Sequence, residues 1–384
     1  MPLIYLDNAA TSFPKPPTVA ADMGEFLANE AVNPGRSGFD LSLKAGARLD
    51  DLRRRVAIFF NHPTQDPNRV VFTNNATEAL NIAIQGVCQP GDHIVSTVLE
   101  HNSVLRPLFE LQKIGIRHDL APCDGGGFVA PESIESLLKP ETRLVVMTHA
   151  SNVLGTVQPV DKIGVLCQSR GIHFLLDAAQ TAGVVPIDMA AIGADLLAFT
   201  GHKGLMGPTG TGGLLVSGEG NIKPTRWGGT GVRSAVRGHL EEYPYRLEAG
   251  TLNTVGLAGL NAGLDWLLTN DAGKIENELS TRLLKGLVDI PSVSVVGLEK
   301  GEFDLSAASR TAVLSILIEG MVPAKVGMFL DADWDIAVRT GLQCAPLVHE
   351  AMGTTDGGTI RISPGPFNAP QEIDILLEAL ASFK

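Results

Sequence analysis

Six short apolar runs, each ending in polar residues and most of them separated by a helical stretch, set the tightest limit on what this chain can fold into. They are RVVFT (69 to 73), HIVST (93 to 97), RLVVMTH (143 to 149), HFLLDAA (173 to 179), DLLAFTG (195 to 201) and GGLLVSG (212 to 218). Alternation of such runs with helix-length segments is the signature of a parallel sheet wrapped by helices. Helices are expected from Thr77 to Gly86 and from Val160 to Arg170. Ligands in open α/β sheets gather at the carboxyl ends of strands, so the polar ends of these runs should hold the chemistry.

Near residue 256 the texture changes. VGLAGLNAGLDWLL reads as a helix, an amphipathic stretch follows to about Ile290, and then come a strand (TAVLSILIEG), the Cys344 region, GTIRISPG and a closing helix, QEIDILLEAL. The expectation is an α/β chain with a large domain over 15–255, built on a mostly parallel sheet, and a smaller α+β domain over 256–384 on which residues 1–14 pack. No internal repeat or low-complexity segment interrupts this plan.

Composition narrows the function. A net charge of -12 argues against nucleic acid, which needs a positive footprint, and leaves small metabolites as the natural ligands. The four cysteines, at 88, 123, 167 and 344, never form a CxxC, so neither a disulfide framework nor a zinc ribbon is suggested. The nine histidines include no HExxH, and no metal is expected. The opening MPLIYLDNAATS has no basic leader region and no apolar run reaches 18 residues, so no signal peptide or membrane span is expected. A reduced, cytoplasmic chain is the default.

Four features follow strands in order. AFTGHKGLMGPTG puts Lys203 in a glycine-rich turn; taken alone, such a lysine is a solvated loop residue. Asp177 ends the preceding strand in FLLDAAQTAG and by itself serves equally as a turn cap. Together, an amine and a carboxylate at one sheet edge are the minimum equipment for pyridoxal 5′-phosphate: the lysine carries the cofactor covalently and the aspartate keeps the pyridine nitrogen protonated. TNNATEAL links a strand to a helix N-terminus, whose free N–H groups suit a phosphate dianion, though an ordinary helix capped by Thr77 reads the same way. His101, in VLEHNSV, is either a structural histidine or a catalyst.

Cys344 lies in RTGLQCAPLVH, five residues after Arg339. A lone cysteine is usually a small buried hydrophobe; a working one needs an accessible loop and a neighbour that favours the thiolate, which Arg339 could supply if it is not engaged in a structural ion pair.

In order along the chain, YLDNAATS, NNATEALN, EHNSV, HASNVLGT, LLDAAQ, TGHKGLMGPTG, EAGTLNT, RTGLQCAP and TIRISPGPFN resemble the class V aminotransferase-fold enzymes, and among them the cysteine desulfurases and selenocysteine lyases. The resemblance implies the type I fold of pyridoxal-phosphate-dependent transferases, similar to aspartate aminotransferase. It implies Lys203 as the cofactor lysine, Asp177 as the pyridinium partner, and Gln180 and Asn152 near the phenolic oxygen. His101 would stack on the ring and handle the substrate proton. Ala76 and Thr77 would bind the phosphate with Thr200 and His202, and Thr251 would reach the phosphate of a neighbouring subunit, which implies a homodimer.

Arg361 would clamp the substrate carboxylate through its planar fork, with Arg339 and Asn152 also near substrate. Cys344 would take sulfur from L-cysteine as a persulfide, leaving L-alanine, for delivery to an acceptor such as iron-sulfur cluster assembly. The alternative within the family is a selenocysteine lyase acting on L-selenocysteine, or another class V enzyme (carbon-sulfur lyase, epimerase or aminotransferase) in which Cys344 is not the nucleophile.

The compact cysteine segment resembles that of group II members, which use a dedicated sulfur-accepting protein or keep the cysteine less exposed, so a sulfur-accepting partner protein is an expectation. Two departures stand out. Leu342 and Gln343 occupy positions where many group II relatives place histidine, and NPGRSGF departs from the usual Asn-x-His-Arg, leaving Asn33 and Arg36 without an assigned role.

Overall fold

Every one of the six apolar runs is a strand of a single sheet. The computed structural model describes residues 3–34, 38–218, 222–298 and 309–383. In chain order the first part contains β1 (Ile4–Tyr5), α1 (Pro17–Asn29), α2 (Asp40–Phe59), β2 (Val70–Thr73), α3 (Ala76–Val87), β3 (His93–Thr97), α4 (Asn102–Gln112), β4 (Arg117–Ala121), α5 (Pro131–Leu137) and β5 (Thr142–Thr148). It continues through α6 (Val160–Arg170), β6 (His173–Asp177), α7 (Met189–Ile192), β7 (Leu196–Thr200) and β8 (Gly212–Val216).

The seven-stranded sheet has the order β2-β8-β7-β6-β5-β3-β4. From β7 to β4 all neighbours are parallel, while β8 runs antiparallel to both β2 and β7. The central strands read as continuous apolar runs because both faces are covered. Along β5, Val145 and Met147 enter the core on one face and Leu144 and Val146 the core on the other. The sequence reading missed β4. Arg117, His118 and Asp119 give this edge strand a polar pattern, since it has only one neighbour and a partly exposed face.

The second part contains α8 (Thr254–Thr269), α9 (Ala272–Val288), β9 (Val293–Val295), β10 (Leu314–Ile318), α10 (Pro323–Trp334), β11 (Ile336–Ala337), β12 (Arg339–Gly341), α11 (Pro346–Ala351), β13 (Thr359–Ile362) and α12 (Pro370–Ala381). Strands β12-β13-β10-β9 form an antiparallel sheet with its own core of Leu283, Ile316, Ile360, Ile362 and Leu376. β1 pairs in parallel with β11, and Ile4 and Leu6 lie in this smaller core. Helix α8 begins at the expected domain boundary, yet its Leu257, Leu260 and Leu264 belong to the core of the large sheet. The apolar stripe of α8 faces the large sheet, and the second core starts with α9.

Candidate active site

The carboxyl ends of β2, β3, β5, β6 and β7 open onto one cavity of about 230 Å³, closed on its far side by the small sheet. Its wall includes Ala76, Thr77, His101, Asn152, Asp177, Gln180, Thr200, His202, Lys203, Arg339 and Arg361. Eleven residues picked from scattered stretches of sequence thus meet in one place. Thr251 does not line this cavity; it is exposed on the loop before α8. Cys344 is exposed at the rim, where Arg339 Nη2 donates to its Sγ across 3.9 Å. Asn33 contributes its carbonyl to Ser42 Oγ at 2.9 Å, and Arg36 lies outside the described residues.

Lys203 points into the cavity from the turn after β7. Loss of hydration, with the cationic field of Arg361, lowers its amine from 10.5 to about 8, against the opposing pull of Asp177. Asp177 ends β6 and is buried, with Oδ1 accepting from Ala179 N at 2.9 Å; burial raises its carboxyl above the usual range, opposed by that bond and by Lys203.

His101 is the N-cap of α4, and its Nδ1 accepts from Ser103 N at 3.0 Å. That bond requires an unprotonated Nδ1, so the proton of the neutral ring sits on Nε2. Burial and the cations Lys203 and Arg339 lower this imidazole to about 4.

Arg361 on β13 is 2% exposed. It donates from Nη1 to Asn152 O at 3.0 Å and from Nη2 to Asp7 Oδ1 at 2.6 Å, leaving Nε buried without a partner.

Residues 4–376 match the family description of class-V aminotransferases. The chain belongs to that family. A probable cysteine desulfurase of Methanothermobacter thermautotrophicus is 36% identical over 387 residues, spanning 98% of this chain and 94% of the relative. The apo structure of a cysteine desulfurase from Thermococcus onnurineus superposes with a TM-score of 0.89 at 32% identity, covering 98% of this chain and 93% of that one. The Escherichia coli cysteine desulfurase CsdA, solved in an S-sulfonic acid form, gives 0.85 at 29% identity, covering 98% and 93%.

Pyridoxal 5′-phosphate is the cofactor of class-V proteins, and the residues present fit it. Thr200 Oγ1 and His202 Nδ1 are buried polar atoms without a partner, an arrangement that costs about 1–3 kcal/mol per group unless something is bound. Both line the cavity beside the start of α3, where the N–H groups of Ala76 and Thr77 have no acceptor within the helix. Burial and nearby Lys203 hold His202 down at about 4, so it meets an anion as a neutral donor. A phosphate fits this end of the class-V site, and His101, Asp177 and Lys203 line the rest of the cavity.

Several residues in or behind the wall of this class-V site lie outside the sequence expectation. Asn75, not Thr77, caps α3, its side chain accepting from Glu78 N at 2.9 Å. Asparagine is as strong a cap as threonine, and the cap position shifts by two residues with the start of the helix. Glu100 is fully buried; it accepts from Thr97 Oγ1 and Thr148 N, its Oε2 has no partner, and burial raises it to about 8. A charged residue between the strand end and His101 was the available signal. Ala9, Ser103 and Gln343 also line the cavity, and Gln180 Nε2 donates to Ala9 O at 3.2 Å. Among the described residues no group of histidine, cysteine and carboxylate side chains could hold a metal ion.

Proposed function

We propose that this chain is a pyridoxal-phosphate-dependent cysteine desulfurase that moves the sulfur of L-cysteine onto Cys344 and releases L-alanine. The observation that carries the proposal is the exposed Cys344 thiol at the rim of the Lys203 cavity, in contact with Arg339 of the cavity wall. Of the four cysteines Cys344 is the exposed one, while Cys88 and Cys167 are buried and Cys123 is partly buried.

When bound, the cofactor supplies an electron sink that makes the α-proton of an attached amino acid acidic and its Cβ–S bond labile. The chain supplies everything else. Lys203 would tether the cofactor, and its amine, lowered to about 8, is a base suited to accepting and returning a proton near neutral pH. Asp177 would hold the cofactor's ring nitrogen, and Ala76, Thr77, Thr200 and His202 would hold its phosphate. His101, neutral and protonated on Nε2, would lie beside the ring. Arg361 orients the substrate carboxylate, using the donor capacity that the protein leaves unfilled at Nε. The Cys344 thiolate attacks the substrate sulfur, so that a new S–S bond forms and the Cβ–S bond breaks. The bonding pair stays with the carbon skeleton, which takes up a proton at Cβ and leaves as alanine, while Cys344 carries the persulfide. No outside oxidant or reductant enters this balance.

The chain is further proposed to work as a cytoplasmic homodimer. The exposed Thr251, with Trp227 71% exposed on the same connection, is supplied for a second subunit and not for its own cavity. A protein acceptor docks at the rim, since Cys344 and the 41% exposed Leu342 are presented outward from a short segment. L-selenocysteine enters the same cavity as an alternative substrate.

The purified protein is expected to be yellow, borohydride to bleach it by fixing the cofactor on Lys203, and cysteine to yield alanine while a Cys344 peptide gains one sulfur by mass spectrometry. A colourless protein that takes up no cofactor, or alanine release that survives loss of Cys344 undiminished, rejects the proposal.

A further inference from the structure

We infer that Gln343 is the positioning residue for Cys344: its buried amide, clamped between His349 and β13, fixes the cysteine loop in one shape at the cavity rim. The inference rests on the desulfurase reading above.

The loop has an unusual backbone. Gly341 has φ 97°, and then two residues with side chains, Gln343 at 41° and Cys344 at 60°, occupy the left-handed region. Such conformations persist only where the surroundings over-determine them. Here the surroundings are polar and saturated. Gln343 is 4% exposed, and its Nε2 donates to Thr359 O at 3.2 Å. Its Oε1 accepts from His349 Nε2 at 3.0 Å and lies 3.3 Å from Thr359 Oγ1. His349 is fully buried, and its Nδ1 meets Thr354 Oγ1 at 2.8 Å. For Nε2 to donate, the neutral ring must accept the Thr354 hydroxyl proton at Nδ1, which fixes the tautomer. Turning the Gln343 side chain would strand a buried donor and acceptor at once.

The main chain of the same two residues is tied to the opposite side of the cavity. Asn152 Nδ2 donates to Gln343 O at 2.7 Å, and Asn102 N, the residue after His101, donates to Cys344 O at 2.8 Å. With the Gln343 side chain held inward and both carbonyls docked, the Cys344 side chain is left outward, against Arg339. Close approach helps: a Cβ on Gly358 would sit 2.1 Å from Gly341 O, so glycine there lets the loop backbone settle against the turn before β13. Gln343 lines the cavity, but its amide is engaged by His349 and Thr359, so it acts on the sulfur transfer through Cys344.

The test uses the cofactor-loaded protein with Gln343→Met, which keeps the volume and removes the amide, and Thr354→Val, which cuts the far end of the clamp. The expected result for Gln343→Met is unchanged yellow absorbance, a KM for cysteine within about twofold of the parent, and a kcat lower by ten- to a hundredfold, the order of effect of about an ångström of misplacement. Amide hydrogen exchange over residues 339 to 346 should quicken at least tenfold, and Thr354→Val should show the same pattern more weakly. Parent-like exchange and kcat in Gln343→Met overturn the inference, as does a parallel loss of cofactor and KM, which would mark a merely structural residue. If Gln343→Met does not fold, unchanged exchange and kcat in Thr354→Val overturn it. Failure of the desulfurase reading shows separately, as a parent protein that makes no alanine while the exchange difference remains.

Discussion

Arg339 and Arg361 stand directly opposite each other on β12 and β13, and both line the Lys203 cavity. Like charges at facing sheet positions repel, so each needs its own counterpart. Arg361 has Asp7 at 2.6 Å and is buried; Arg339 is only partly buried and reaches the Cys344 sulfur. The pair divides the work between substrate and thiol. Arg361→Lys removes the planar fork, and loss of one charge-assisted hydrogen bond, about 1.5–3 kcal/mol, raises the KM for cysteine by about ten- to a hundredfold. Arg339→Gln leaves KM near the parent value and lowers kcat. Steady-state kinetics on both variants separates the roles; identical profiles would show that they share one.

The Lys203 amine sets the pH at which cofactor is captured. Only the neutral amine condenses with an aldehyde, and here it titrates at about 8 instead of 10.5. In protein stripped of cofactor, the rate at which yellow colour returns should rise about tenfold per pH unit below pH 8 and level off above it. A rate still climbing beyond about pH 9 would mean an ordinary lysine. Stability carries a matching sign. Between pH 8 and 10.5 the unfolded chain holds a proton that the folded chain has lost, so this group makes the stripped protein more stable as pH rises through that window.

The parallel core was legible because strands covered on both faces must be apolar throughout, and α6 could be delimited from Val160 to Arg170 by its pattern and the following glycine. β4 was not, because an edge strand carrying Arg117 and Asp119 has no apolar signature. Asp177, Lys203 and His101 each read alone as a turn cap, a loop lysine or a structural histidine; what singled them out was their ordered set at strand ends and the family resemblance, and the fold brings all three to one cavity. Gln343 could not be singled out in that way: its partners are His349, Thr359 and Asn152, and only the folded chain brings them together. Glu100 was hidden for a related reason, since a charged letter before His101 reads as a surface residue until β3 and β5 close over it.

Cys344→Ala should keep its colour, its cofactor and its substrate-binding spectrum, because the residue is exposed at the rim and is not part of the cavity wall. Sulfur transfer from cysteine should fall to background, with no persulfide in any peptide. Selenium forms a weaker bond to carbon and can leave without a protein thiol, so L-selenocysteine should still yield alanine. If the variant retains cysteine turnover, the thiol is not the acceptor. If it loses both substrates together with the absorbance change on binding, Cys344 has a role in forming the cavity.

Arg53 and Glu248 form a buried bidentate pair at 2.7 Å that fastens the long connection carrying Thr251 onto the large sheet. The glutamate also accepts from Phe72 N at 2.6 Å, so one carboxylate serves both the helix α2 cation and the backbone of β2. Glu248→Ala leaves the Arg53 guanidinium buried beside Val70 O without its counter-charge and strands Phe72 N as well. Removing one partner of such a pair costs about 3–5 kcal/mol, far more than the pair itself contributes over an apolar substitute. The double variant Arg53→Met, Glu248→Leu should therefore recover the part of the loss that comes from the unpaired buried charge, though not the part that comes from Phe72 N, as read from denaturant midpoints. Its cofactor retention tells whether the connection matters beyond stability: a doubly substituted protein that folds well but no longer holds the cofactor would place Thr251 and its loop in the cofactor's grip, whereas full retention would confine the pair to holding β2 and α2 together.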